Sequence, residues 1–384
     1  MGLELTWVLW GLPLVFMLGW GASRLDLRQL RLDNRHAPKA YFKGLNYLLN
    51  EQQDQAIDAF IEAVQKDPDT TELHFALGNL FRRRGEYDRA VRVHQHLLSR
   101  ADLSQSDRHR AQYALALDYL TAGLLDHAET ELLKLVGTSF QTSAQVALLG
   151  LYERSRDWVQ AAKMAEALSQ AGQGDFSHRL AHYLCERAAI LVAQDQLSAA
   201  HALLNNAISV APHAARACMD LAQLHVQAGQ ADLAWQTLDG AINHCPDAIA
   251  LMARPLADVA VQAHKVTQTL ARLQSSYLHS PSLDVLDAII FLSAPQGDAQ
   301  SARNWYMRHL EHTPSLVAAT KWMACEKWEH EQFHAQVQHA LEHAAWPLLR
   351  YRCAACGFEA TQHFWQCPGC QTWDSYPARR VEEL

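Results

Sequence analysis

Self-similarity at a fixed period constrains this chain more than any other feature, because a repeat that cannot bury its apolar face alone must stack on its neighbours. Gly44, Ala56, Phe60, Ala63 and Pro68 set the pattern, and about 34 residues on Leu77, Gly78, Phe81, Gly85, Tyr87 and Ala90 take equivalent places. After a short insertion Tyr119, Gly123 and Ala128 restate it, and Tyr152, Trp158, Ala161 and Leu168 form a fourth unit. A fifth holds Leu191, Leu197, Ala200, Leu204, Ala207 and Pro212, and a sixth holds Leu221, Ala222, Gly229, Ala234, Leu238, Ala241 and Pro246. Beyond residue 250 the register weakens, although Ala302, Tyr306 and Pro314 mark one more unit and Pro281 ends another. The pattern has a packing logic. Small residues sit where the two helices of a pair approach closely, large ones fill the space between pairs, and a proline stops the second helix.

This spacing is that of the tetratricopeptide repeat. The expected fold class is all-α: a tetratricopeptide-repeat superhelix of about eight helical pairs over 41–345, with a transmembrane helix over 1–23, a basic linker over 24–40 and a small metal module over 346–384. Inward faces of the first helices in such an array form a groove suited to a segment of another protein. In the second unit those residues are Glu72, Phe75, Asn79, Arg82 and Arg83. A merely solvated helix face is the alternative for any one of them.

Between Leu5 and Ser23 the sequence carries no charge and is rich in Leu, Trp, Val and Phe. Nineteen residues rising about 1.5 Å each nearly cross a hydrocarbon core of about 30 Å. A cleaved signal peptide would have a basic start and a small-x-small cleavage site, and neither is evident; a buried core helix is the other alternative. Arg24, Arg28, Arg31, Arg35 and Lys39 follow at once, which places the body of the chain on the cytoplasmic side. Trp7, Trp10 and Trp20 fall near the ends of the span, where indole rings favour the interface.

Of eight cysteines, Cys353, Cys356, Cys367 and Cys370 crowd into two C-x-x-C pairs with ten residues between them. Each pair can turn both thiolates toward one cation, and two pairs complete a tetrahedral sulfur shell for one metal ion, iron or zinc. Gly357 and Gly369 are expected to give the knuckles their backbone freedom, and Tyr351, Phe358, Phe364, Trp365 and Trp373 to wrap the site. A redox dithiol lacks its βαβ surroundings, and disulfides do not suit a reducing compartment. Cys185, Cys218, Cys245 and Cys325 read as small buried hydrophobes. His339, Glu342 and His343 match the H-x-x-E-H protease pattern but read as part of an ordinary helix, with no room downstream for a further ligand-bearing helix. No phosphate loop, nucleophile elbow or paired acid-base motif is evident, so no catalytic residue is expected. The net charge of -8 and the absence of a basic stripe argue against a nucleic-acid partner.

An apolar N-terminus with a basic flank, the repeats LNYLLNEQQDQAIDAF and LGNLFRRRGEYDRAVRVHQHLL, and the ending YRCAACGF with WQCPGC together resemble the lipopolysaccharide assembly protein B family over essentially the whole chain. The resemblance implies a single-pass protein of the bacterial inner membrane that contacts membrane lipid and regulates lipopolysaccharide synthesis. It implies as partners a membrane-bound AAA protease, the deacetylase that commits precursors to lipid A, and other lipopolysaccharide synthesis or transport proteins. The family's ligands fall on Cys353, Cys356, Cys367 and Cys370, in a rubredoxin-type domain. The ten-residue gap is shorter than in free-standing rubredoxins, which favours a structural or docking role. A rubredoxin-like electron carrier docked through its repeats is the alternative.

Overall fold

Small and large residues alternating at helical spacing become antiparallel helices along the chain in the computed structural model, which describes residues 17, 42–47, 49–50, 52–66, 71–293, 299–326 and 331–384. Apart from Met17, the expected anchor and linker lie outside the described residues, as does Pro68. Among the described residues no helix is long and apolar enough to cross a membrane. By internal contact the chain divides into two units, Met1–Arg156 and Asp157–Leu384.

The first unit carries helices Gln53–Lys66, Thr71–Arg84, Tyr87–Ser99, Gln105–Ala122, Leu125–Leu133 and Gln141–Ser155. Its small residues sit at close approaches. A Cβ on Gly44 would come within 2.9 Å of the Phe60 ring, and one on Gly78 within 2.5 Å of His94. Ala56, Ala63, Ala90 and Ala128 are fully buried where helices meet. A polar knot ties three helices together: His94 Nδ1 lies 2.5 Å from Asp118 Oδ2, both side chains are buried, and Arg82 donates to Asp118 Oδ1 at 2.8 Å.

The second unit begins with helices Trp158–Gln170, Ser177–Ala193, Leu197–Val210, Ala215–Gln227 and Ala231–His244. It continues where the sequence pattern faded, with Ile249–Gln262, Val266–His279, Leu283–Ser293, Ala299–His312, Leu316–Ala324 and Glu331–Ala345. These later helices share a core in which Met252, Leu256, Leu273, Leu286 and Ile289 are fully buried, and Ala302 and Tyr306 join it. Trp235 carries its indole N–H into this core and satisfies it on Thr269 Oγ1 at 2.8 Å.

A 3-10 turn, Trp346–Leu349, leads into a two-stranded antiparallel ribbon that pairs Tyr351 with Ala360 and Arg352 with Glu359. The last residues then return to the helices. Glu383 Oε1 accepts from the Leu283 amide at 2.6 Å, and Glu382 accepts from the Leu316 and Val317 amides at 2.5 and 3.2 Å. These amides open helices, where no intrahelical acceptor exists. Arg380 grips Asp284 with two nitrogens at 2.7 and 2.8 Å while its guanidinium lies 4.1 Å over the Tyr351 ring.

Candidate metal centre

Each C-x-x-C pair folds as the same turn. In the first, the Gly357 amide donates back to the Cys353 carbonyl at 2.9 Å, and in the second the Gln371 amide donates to the Cys367 carbonyl at 2.8 Å. The residue after the second cysteine of each pair is left-handed, Gly357 at φ 78° and Gln371 at φ 60°. Backbone freedom was expected at Gly357 and Gly369. Gly357 fulfils it, whereas Gly369 is not left-handed and lies against Phe358, so the strained position of the second turn falls on a glutamine.

The two turns bring all four sulfurs within 4.8 Å of one another. Cys353 Sγ lies 3.8 Å from Cys370 Sγ, and Cys356 Sγ lies 3.7 Å from Cys367 Sγ. A tetrahedron of metal–sulfur bonds of about 2.3 Å has an edge of about 3.8 Å. The donor set and its spacing therefore fit one thiophilic ion, zinc or iron. Cys353 and Cys367 are buried, and Cys356 and Cys370 are exposed.

The surroundings favour thiolate at some positions and oppose it at others. Burial pushes the Cys353 thiol up, but the Ser375 hydroxyl 3.2 Å away and the Cys356 and Ala355 amides prevail and hold it down to about 6. The Thr372 hydroxyl and amide lower Cys370 as well. Cys356 goes the other way: although the Phe358 amide favours its thiolate, burial and the neighbouring thiols push it up to about 12. Four thiols this close cannot all ionise unless a cation offsets their repulsion.

Tyr351 is buried with Cys353 and Cys367 and Phe364 packs on the same cluster, as expected, but Phe358 is 44% exposed and Trp373 turns its ring to His182. Two further groups complete the shell without any motif to announce them. Tyr376 is buried and donates its hydroxyl to the Phe358 carbonyl at 3.1 Å, and Ser375 accepts the Ala354 amide on its carbonyl at 2.7 Å.

The module is docked on the helices of its own unit. Trp373 stacks on His182 with centroids 4.7 Å apart and meets Trp158 and Tyr183 edge-on. His182 Nε2 lies 2.8 Å from Asp374 Oδ1. Burial alone would raise Asp374, yet the His182 partner holds it below the ordinary carboxylate range. Leu251 packs against the buried cluster of Tyr351, Cys353, Cys367 and Tyr376.

The candidate groove residues separate. Phe75 is only 2% exposed and lies beneath the Arg110 guanidinium at 4.1 Å, so its ring belongs to the core. Arg82 serves the buried Asp118 and also reaches Asn79 Oδ1 at 2.6 Å. Glu72 is exposed and paired with Arg110 at 2.5 Å, and Arg83 is exposed. His339, Glu342 and His343 are exposed on helix Glu331–Ala345, and among the described residues the four cysteines form the one ligand cluster of this kind. Cys185, Cys218 and Cys245 are buried as expected, and Cys325 is half-buried.

Comparison with known proteins follows the same division. Residues 351–376 match the family described as the rubredoxin metal binding domain, and residues 43–95, 73–118 and 191–254 match tetratricopeptide repeat families. The lipopolysaccharide assembly protein B of Escherichia coli (strain K12) is 30% identical over 390 residues, covering 100% of both chains. Its namesake in Haemophilus influenzae Rd is 26% identical over 392 residues, covering 97% of each. A solved tetratricopeptide repeat protein from Parabacteroides merdae overlays 67% of this chain and 98% of its own at a TM-score of 0.35 and 13% identity.

Proposed function

We propose, from the premise that this chain belongs to the lipopolysaccharide assembly protein B family, as 30% identity along its whole length shows, that it is a non-enzymatic adaptor in lipopolysaccharide assembly. Its repeats hold protein partners. The adaptor sits in the bacterial inner membrane through a single N-terminal span, with most of the chain in the cytoplasm. It regulates lipid A synthesis by promoting proteolysis of the committing deacetylase by a membrane-bound AAA protease, and it coordinates other lipopolysaccharide synthesis or transport proteins.

The observation that carries this reading is a likeness that runs unbroken through the array and the metal centre together. Cys353, Cys356, Cys367 and Cys370 hold one metal ion that fixes the module's fold, and the module clasps the second unit's helices, an early one through Asp374 and later ones through Glu382 and Glu383. A clasp of that kind supports a structural role for the metal over electron transfer. The exposed groups Glu72 and Arg83, with Asn79 and Arg82 beside them, are offered to a partner in the first unit. The anchor's task is tethering, because a short tether raises the effective concentration of two tethered proteins to about the millimolar range.

The test is capture of the full-length chain in mild detergent. Both the protease and the deacetylase should co-purify, and a reporter active only in the cytoplasm should give signal when fused to the C-terminus. Capture of neither partner contradicts the adaptor, and signal from a periplasmic reporter alone contradicts the orientation.

A further inference from the structure

The H-x-x-E-H pattern on helix Glu331–Ala345 has no catalytic setting, yet it leaves two histidines side by side. His339 and His343 are four residues apart on a regular helix, so their Cβ atoms lie about 5–6 Å from each other on one face. Both are exposed. Among the described residues no hydrogen bond, ion pair or ring contact engages either imidazole. His178 and His182 share the spacing, but His182 is buried, with Trp373 stacked on its ring and Asp374 on its Nε2. Glu342 lies on the same face as His339, one turn on, and is also exposed; Gln338 Nε2 donates to its Oε1 at 2.7 Å.

Two histidines at this spacing on one helix face can share a zinc ion. Zinc–imidazole bonds of about 2.0–2.1 Å set two nitrogens of a tetrahedral site about 3.4 Å apart, and exposed side chains starting 5–6 Å apart at Cβ reach that by rotation. The Glu342 carboxylate adds a negative charge next to such an ion. Imidazole ligands suit zinc, copper and nickel, whereas magnesium and calcium prefer oxygen sites. The helix itself is loosely seated. His334 Nε2 reaches the Met323 carbonyl and Gln338 Nε2 the Thr320 carbonyl at 3.5 Å each, the limit of a hydrogen bond, and Gln338 Oε1 is buried without a partner. A helix with such weak inner contacts opens at low cost. Past Ala345 the chain runs straight through the turn Trp346–Leu349 to Tyr351 and Cys353.

We propose that His339 and His343 form a second metal site, for a divalent cation of the zinc class, with Glu342 beside it and water in the remaining positions. An ion that bridges one helical turn binds the formed helix alone, so it stiffens the segment leading into the four-cysteine module. Two neutral imidazoles bind far more weakly than four thiolates. The cysteine site therefore stays filled while the histidine site fills and empties with the cation concentration, and helix Glu331–Ala345 responds to metal availability.

The experiment uses untagged full-length protein in detergent that already carries one zinc per chain. Calorimetric titration with zinc chloride should reveal a further site. Hydrogen exchange at the amides of residues 340–345 should slow by one plus the ratio of free zinc to the measured dissociation constant, about 11-fold when that ratio is ten. Magnesium chloride should do neither. His339→Gln or His343→Gln each keeps a good helix former and should abolish this site while the cysteines keep their zinc. Glu342→Gln should weaken it about two- to fivefold, the scale of an exposed ion pair. His343→Gln combined with Glu342→His sets the histidines three residues apart, still on one face, and should restore zinc-dependent protection. No further zinc site, a site that survives in both single histidine variants, or exchange at 340–345 indifferent to zinc overturns the proposal.

Discussion

Glu382 offers the sharpest test of how the metal module is joined to the repeats. Its carboxylate accepts from the Leu316 and Val317 amides at 2.5 and 3.2 Å and from the Ser315 hydroxyl at 2.7 Å, while Ser315 itself caps Ala318. Glu382→Ala would leave two amides at a helix start without an acceptor. Cap removal costs about 0.5–2 kcal/mol and a hydrogen bond to a charged group is worth about 1.5–3 kcal/mol, so with partial exposure discounted the pair comes to about 2 kcal/mol. Hydrogen exchange at Leu316 and Val317 should then accelerate about 30-fold in metal-loaded protein, with a melting loss of about 4–8 °C for a unit of this size. Glu382→Gln keeps an acceptor and should fall between. Exchange at these amides within about threefold of wild type would refute the claim that the tail holds this helix.

Gly78→Ala should destabilise the first unit by about 1–2 kcal/mol in urea, because its Cβ meets His94 and the overpacking penalty exceeds the helix-propensity gain of about 1 kcal/mol. Gly150→Ala, with nothing within 4 Å of the new atom, should be neutral or stabilising in the same measurement. Cys353→Ser with Cys367→Ser should abolish stoichiometric metal by elemental analysis, and the loss should spread to faster exchange at Leu283 and Leu316, whose amides the module's tail satisfies. Burial lowers the folded pKa of His309 beneath its ordinary value, so its unfolded form takes up a proton first as pH falls. Stability should therefore decline from about pH 6.5 downward through the lowered folded value, and His309→Asn should flatten that decline in urea titrations at successive pH values.

The repeat register was legible because it is a local signal: Gly44 against Phe60, Gly78 against His94 and the buried Ala56, Ala90 and Ala128 are each required by the contact they make. The sulfur cluster was legible for the same reason, since two C-x-x-C turns dictate their own geometry. What could not be read was long-range. Glu382, Glu383 and Arg380 look like an ordinary charged tail, and only the fold sets them on helix starts about 66 to 100 residues away. Asp374 likewise finds His182 across 192 positions, and Trp373 beside it stacks on the same ring, so the metal module is clasped to a helix far from it in sequence. Phe75 went the other way. Helical periodicity put it on an inward face, and the Arg110 guanidinium covers it.

On the proposed function, tethered repeats and a metal-held clasp together mark the lipid A deacetylase for proteolysis. The direct measurement is the half-life of that deacetylase after synthesis is blocked, in cells carrying the intact chain, no chain, a chain without residues 1–23, or the Cys353→Ser, Cys367→Ser variant. The half-life should be longer in the last three than in the first, with substantial recovery when an unrelated span of the same orientation replaces residues 1–23. A half-life that stays the same in all four would contradict it.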